Sequence, residues 1–109
     1  MRVVSTPAAR DDILGHFRYY AFDQQVPATG ARLLDAIEAA TDRISQNTSI
    51  GAPQHSAAPA LAGLRAWPVP GFEEIRLYYL PTPGALTIVR VLHDKRDVRR
   101  ILEHEPPAS

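Results

Sequence analysis

The chain has 109 residues, with 12 basic and 12 acidic side chains, ten prolines, one tryptophan and no cysteine. A length near 100 suits one domain that buries roughly two-thirds of its unfolded surface. The missing cysteines exclude disulfide scaffolds, thiolate metal sites and thiol nucleophiles, and the zero formal charge argues against capture of nucleic acid by the molecule as a whole.

Residues 2–5 read as a short strand. Thr6-Pro7 has the chemistry of a helix start, a hydroxyl at N-cap and a proline at N1. Asp11 and Asp12 then fall near the positive helix end. Ile13, Phe17 and Tyr20 recur with helical spacing and form one apolar face. Pro27 interrupts the chain, and a second helix is expected from about Ala28, with Leu33, Ile37, Ala40 and Ile44 as its stripe. Two adjacent amphipathic helices with a short connection make an antiparallel hairpin. Residues 46–63 lose all periodicity and read as a long loop.

The second half alternates with period two. Leu64–Val69 is a strand whose Pro68 places it at an edge or a bulge. Pro70-Gly71 marks a turn. Phe72–Leu80 is a second strand, with Glu73, Ile75, Leu77 and Tyr79 on one face and Phe72, Glu74, Arg76 and Tyr78 on the other. The alternation puts one of Tyr78 and Tyr79 in the core and leaves the other half-exposed. Residues 81–84 form a four-residue hairpin loop, and Ala85–Leu92 returns as a strand. Val89 and Val91 are expected to face the core, with Arg90 opposite and paired to Glu73, Glu74 or Asp97. Asp94 and Asp97 resemble a capped helix start, with Val98, Ile101 and Leu102 as its apolar face; residues 104–109 are expected to fray. The order β-α-α-β-β-β-α over a single domain, 1–109, is an α+β fold: a small curved, mostly antiparallel sheet with the N-terminal helical hairpin packed on it.

The cations are almost all arginine, since Lys95 is the one lysine. Guanidinium groups bind phosphate or carboxylate but do not act as bases near neutrality. Five of the twelve cations (Arg90, Lys95, Arg96, Arg99 and Arg100) fall within residues 90–100. This is a solvated helix face or a surface for DNA or an acidic partner. His16, His55 and His104 lack metal-ligand spacing, so no metal and no cofactor is expected. No apolar run reaches the length of a membrane span, and the first residues carry no secretion-type apolar stretch; no membrane association is expected.

The run from Leu64 to Tyr79 (LRAWPVPGFEEIRLYY), followed by Thr87 to Asp97 (TIVRVLHDKRD), resembles the RelE/ParE superfamily of bacterial toxins. Residues 5–12 (STPAARDD) resemble its helix-opening segment, and Ile50-Gly51 sits where many relatives carry a similar pair after the second helix. Arg90-Val-Leu-His93 with Arg96-Asp97 is similar to the end of the last strand in ParE-like members. The resemblance implies the toxin of a type II toxin–antitoxin pair, cytoplasmic and silenced by a cognate protein antitoxin.

Two activities live on that scaffold. RelE-like members cleave mRNA at the ribosome, and ParE-like members trap DNA gyrase on cleaved DNA. A metal-independent endoribonuclease needs a base, an acid and cations for the phosphorane charge. Arg65, Arg76 and Arg90 are the candidate cations, with Glu73 or Glu74 as base and His93 as acid. The neutral charge and the lack of an aromatic residue after Tyr79 favour the gyrase branch, in which the chain is a binding protein and not an enzyme. Gyrase- or nucleic-acid-facing candidates are then Arg90, His93, Lys95, Arg96, Arg99 and Arg100. A non-toxic relative that only binds its antitoxin is the remaining alternative. The hairpin carries more apolar residues than one face can bury, and Leu14, Tyr19, Phe22 and Leu34 are the antitoxin-binding candidates.

Overall fold

The computed structural model describes residues 2–56 and 58–93. The expected final helix, with Lys95, Arg96, Arg99, Arg100 and the 104–109 end, lies outside the described residues. The elements are β1 (Arg2–Ser5), α1 (Pro7–Arg18), a π-helical turn (Tyr19–Asp23), α2 (Pro27–Gln46), β2 (Ala52–Pro53), a 3₁₀ turn (Pro59–Leu61), β3 (Arg65–Val69), β4 (Phe72–Thr82) and β5 (Ala85–Leu92). The strands form one sheet in the order β1-β5-β4-β3-β2. Its inner pairings are antiparallel, while β1 runs parallel to β5. The fold is thus α+β, two helices on a five-stranded mixed sheet.

Helix α1 starts where its capping chemistry places it. The Thr6 hydroxyl accepts from Ala9 N–H at 3.0 Å, with Pro7 in the first turn. On α2, Leu33, Ile37, Ala40 and Ile44 are all buried. They pack with Ile75, Leu77, Tyr79, Leu86, Ile88 and Val91 of the sheet into the main core. The two helices approach closely at Gly30: a methyl there would lie 3.1–3.2 Å from Ala21 and the Phe17 ring.

A second, smaller core lies on the sheet's other face, where Tyr78, Leu80, Val89 and Ala66 meet Leu61 and Leu64. This cover overturns the expectation that one of the adjacent tyrosines is half-exposed, since both Tyr78 and Tyr79 are buried. The 46–63 loop explains it. Although read as a long loop without periodicity, it contributes the edge strand β2 and the 3₁₀ turn, and folds back so that Leu61 packs on the second face.

Three local expectations also change. The β4–β5 hairpin closes on Pro83-Gly84, because Thr82 already pairs with Ala85 and Gly84 takes a positive φ of 76°. A register shift at Tyr78/Tyr79 pairs Tyr78 with Arg90 and Tyr79 with Ile88, leaving Val89 as the extra residue of a bulge. Val89 and Val91 consequently fall in different cores, not on one shared face. A shift at Pro68/Val69 likewise brings Phe72 onto the main core beside Ile75, against strict alternation, and leaves Glu73 exposed.

Candidate functional site

The end of β5, Arg90-Val-Leu-His93, is the most specific element of the sequence, and the structure shows what surrounds it. Strand β1 covers β5 only from Ala85 to Ile88. Beyond that point the edge of β5 would present bare N–H and C=O groups, which a sheet must satisfy or cover. Helix α1 does this with side chains. After Thr6 N–H donates to Ile88 C=O, the Thr6 hydroxyl donates to Val89 C=O at 2.7 Å. Asp12 Oδ2 accepts Val91 N–H at 2.9 Å, and His16 lies 2.7 Å from Val91 C=O through Nε2. A carbonyl only accepts, so the His16 proton resides on Nε2.

Arg90 meets Asp12 in a fork. Its Nε lies 2.7 Å from Oδ2 and its second guanidinium nitrogen 2.9 Å from Oδ1. Both side chains are nearly buried, at 13% and 14% exposure. Asp12 is thus a partner that the expectation of Glu73 or Glu74 did not include, while the expected Asp97 lies outside the described residues. His93 Nε2 lies 3.2 Å from Glu74 Oε2, but these side chains are 48% and 83% exposed, so water screens the pair.

Arg65, on β3, donates to Gly51 C=O at 2.7 Å and to Ser49 C=O at 3.3 Å. The Tyr79 hydroxyl completes this clamp, accepting Gly51 N–H at 2.8 Å and donating to Thr48 C=O at 2.9 Å. Burial raises the Tyr79 phenol pKa above its ordinary value, against the pull of the Gly51 bond and the Arg65 charge. Arg65 is thus a loop anchor, and Trp67, two residues on, packs on the main core.

Of the six ribonuclease candidates, the fold brings Glu74 and His93 together, while Arg65 and Arg90 are engaged in separate internal contacts, Arg76 is half-buried on β4 and Glu73 is exposed. Two shallow hollows lie beside the Glu74–His93 pair. One, of about 330 Å³, is lined by His16, Tyr19, Tyr20 and His93. The other, of about 310 Å³, is lined by Tyr20 and by residues 71–75 of the β4 start. No group of three or more metal-binding side chains occurs among the described residues, and no helix there is long and apolar enough to cross a membrane.

The antitoxin candidates are all surface residues. Phe22 is 65% exposed, and Leu14, Tyr19 and Leu34 are also open to solvent. The π-helical turn presents two of them: it holds Ala21 inside while Tyr19 and Phe22 face out. Sequence reasoning missed Asp12 and His16 as strand-edge partners, and Tyr79 as a loop anchor. The i, i+4 spacing of Asp12 and His16 beside the apolar face of α1 was the available signal.

A hairpin of helices on a mixed sheet, with apolar side chains exposed on the hairpin, is the architecture expected of a RelE/ParE-type domain. A family profile described as ParE toxin of type II toxin-antitoxin system, parDE, matches residues 3–98, and the chain belongs to that family. Among solved structures it is similar to one titled "Chromosomal ParDE TA system from P. aeruginosa". That match has 18% identity and a TM-score of 0.64, and covers 87% of this chain and 97% of the other. At that identity the likeness bears on the fold alone. No curated protein shows a significant sequence match.

Proposed function

We propose that this ParE-family toxin acts in the cytoplasm by binding DNA gyrase and holding it on cleaved DNA, and that a cognate antitoxin neutralises it. Fold alone does not separate gyrase poisoning from mRNA cleavage. The observation that carries the choice is the engagement of two of the three candidate cations, Arg65 and Arg90. A ribonuclease needs cations free to meet phosphorane charge, whereas these two hold loop carbonyls and the Asp12 carboxylate. Binding a protein–DNA complex needs no catalytic group, and His93 with the basic residues 95, 96, 99 and 100 remains the candidate surface for it.

The purified chain is expected to stabilise gyrase–DNA cleavage complexes while leaving mRNA on ribosomes intact, with both assays run side by side. Ribosome-dependent cutting of mRNA overturns the gyrase reading.

For the antitoxin, the exposed apolar residues of the hairpin fit the apolar face of an amphipathic helix. The double substitution Phe22→Asp and Leu34→Asp is expected to weaken antitoxin binding by about a hundredfold, at roughly 1.4 kcal/mol per residue. Both positions are solvent-facing, so Tm should stay within a few degrees. Titration calorimetry and a melting curve check the two halves, and unchanged affinity refutes this docking site.

A further inference from the structure

The hollow of about 330 Å³ at the end of β5 has four rings on its walls, those of His16, Tyr19, Tyr20 and His93. Tyr19 meets Tyr20 edge to face at 5.1 Å, and Tyr20 meets Phe72 in the same way at 5.6 Å. The two imidazoles lie 6.4 Å apart. Tyr20 and Phe72 pack on the main core, which holds one wall in place, while Tyr19 remains 47% exposed.

The polar groups around these rings favour one sign of charge. His16 gives its Nε2 proton to Val91 C=O, which leaves Nδ1 of the neutral ring as an acceptor. Glu74 reaches His93 and also lines the adjoining hollow, which shares Tyr20. The Glu73 carboxylate, in that second hollow, already accepts Gly71 N–H at 2.7 Å, so Glu74 is the one with spare capacity. No described arginine or lysine lines either hollow. Aromatic faces attract a cation within about 6 Å of the ring centre, and a lone pair and a carboxylate attract it too. A guanidinium suits such walls better than an ammonium, because it is planar, weakly hydrated and stacks on rings while donating from its edge. A phosphate would instead meet Glu73 and Glu74 as like charges.

Position indicates where the cation comes from. Tyr19 is a wall of the hollow and also one of the exposed hairpin residues assigned to the antitoxin. A segment laid on the hairpin therefore has the hollow at its margin. We propose that this hollow, with Glu74 at its rim, receives one arginine side chain of the antitoxin. The contact rests on the antitoxin reading above and extends it from the hairpin to the end of β5. His93 is also a candidate for facing gyrase, so an occupied hollow covers that residue and makes neutralisation a direct competition for this end of the sheet.

The test uses the full chain and the polypeptide encoded by the adjacent reading frame. Glu74→Gln keeps the size of the side chain and removes its charge. It is expected to weaken binding about fivefold without changing the Tm of the free chain, because the carboxylate is exposed. Tyr19→Phe, which keeps the ring, should bind as wild type does, whereas Tyr19→Leu, which keeps only apolar area, should lose about fivefold. One Arg→Met change in the polypeptide should cost about tenfold and abolish the effect of Glu74→Gln. Undiminished binding by Glu74→Gln overturns the proposal, as does the absence of any arginine coupled to it. Equal binding by Tyr19→Leu and Tyr19→Phe means an apolar occupant and overturns it as well. So does a fall in the Tm of free Glu74→Gln that matches its lost affinity, since the chain's own Lys95 or Arg96 would then fill the hollow. All these outcomes leave the antitoxin reading standing. Failure of the wild-type chain to bind that polypeptide sinks the reading itself, and the arginine contact with it.

Discussion

Replacing Asp12 with alanine is expected to destabilise the protein by about 3 kcal/mol, which is at least about 12 °C in Tm for a domain of this size. The carboxylate has two jobs at once. It neutralises Arg90 through two short bonds, and it accepts the Val91 N–H that no strand reaches. Alanine would leave a nearly buried guanidinium without this counter-charge and a backbone donor without its acceptor. Asp12→Asn retains an oxygen for one of these donors and should fall between alanine and wild type. Arg90→Met added to Asp12→Ala should return part of the lost stability, since the nearly buried guanidinium that lost its Asp12 contact is removed. Thermal denaturation of the four proteins checks the series. A cost for Asp12→Ala below about 0.5 kcal/mol, the level of an ordinary surface change, refutes the structural role of the pair. For the same reason, Arg90→Ala is a poor probe of target binding: loss of activity would follow from a loosened β5. His93→Ala is cleaner, because its exposed contact with Glu74 contributes little to stability.

The second large effect is expected at Gly51. A methyl group placed there would lie 2.5 Å from the Tyr79 hydroxyl oxygen and 2.8 Å from both Tyr79 Cε1 and the Ala66 carbonyl. None of these can move cheaply. The ring is buried in the main core, and Ala66 is held in the ladder between β2 and β4. Gly51→Ala should cost about 3 kcal/mol through overpacking, while Tyr79→Phe should cost about 2 kcal/mol by leaving Gly51 N–H and Thr48 C=O unpaired. The double variant should cost less than the sum, because phenylalanine lacks the oxygen that the methyl strikes. Urea denaturation measures the energies. Limited proteolysis should show earlier cleavage near residues 48–56 in either single variant. Wild-type resistance in both would mean that the clamp does not hold the loop.

Much of the fold was legible because its signals are local. Thr6-Pro7 places a helix start by capping alone, and the Leu33–Ile44 stripe reports its buried face by spacing. Strands β3, β4 and β5 follow from alternation between Pro/Gly turns. Where two distant segments had to meet, the pattern carried no message. Alternation assumes one covered face, so it could not foresee that Leu61 and Leu64 would close over Tyr78. Nor does alternation survive a bulge, which is why Val89 and Phe72 were placed on the wrong faces.

The candidate site divides in the same way. Exposure of Leu14, Tyr19, Phe22 and Leu34 was readable as a surplus of apolar residues on a two-helix element. The partner of Arg90 was not, because Asp12 lies 78 positions away and looked like a dipole residue. Arg76 was visible only as one cation among several. That no described carboxylate pairs with it depends on what β3 and β5 place beside it.

The way α1 finishes the edge of β5 also dictates an order of events during synthesis. Thr6, Asp12 and His16 find their strand partners 75 to 83 positions further along the chain. While the ribosome is still making the middle of the protein, the first helix therefore has no strand to join. Contacts of such long range form late and slowly. The nascent hairpin can display its apolar side chains before the sheet closes beneath it, whereas the β5 end is assembled only after residue 92 has emerged. A neutraliser that recognises the hairpin could thus engage the chain before the last strand is in place.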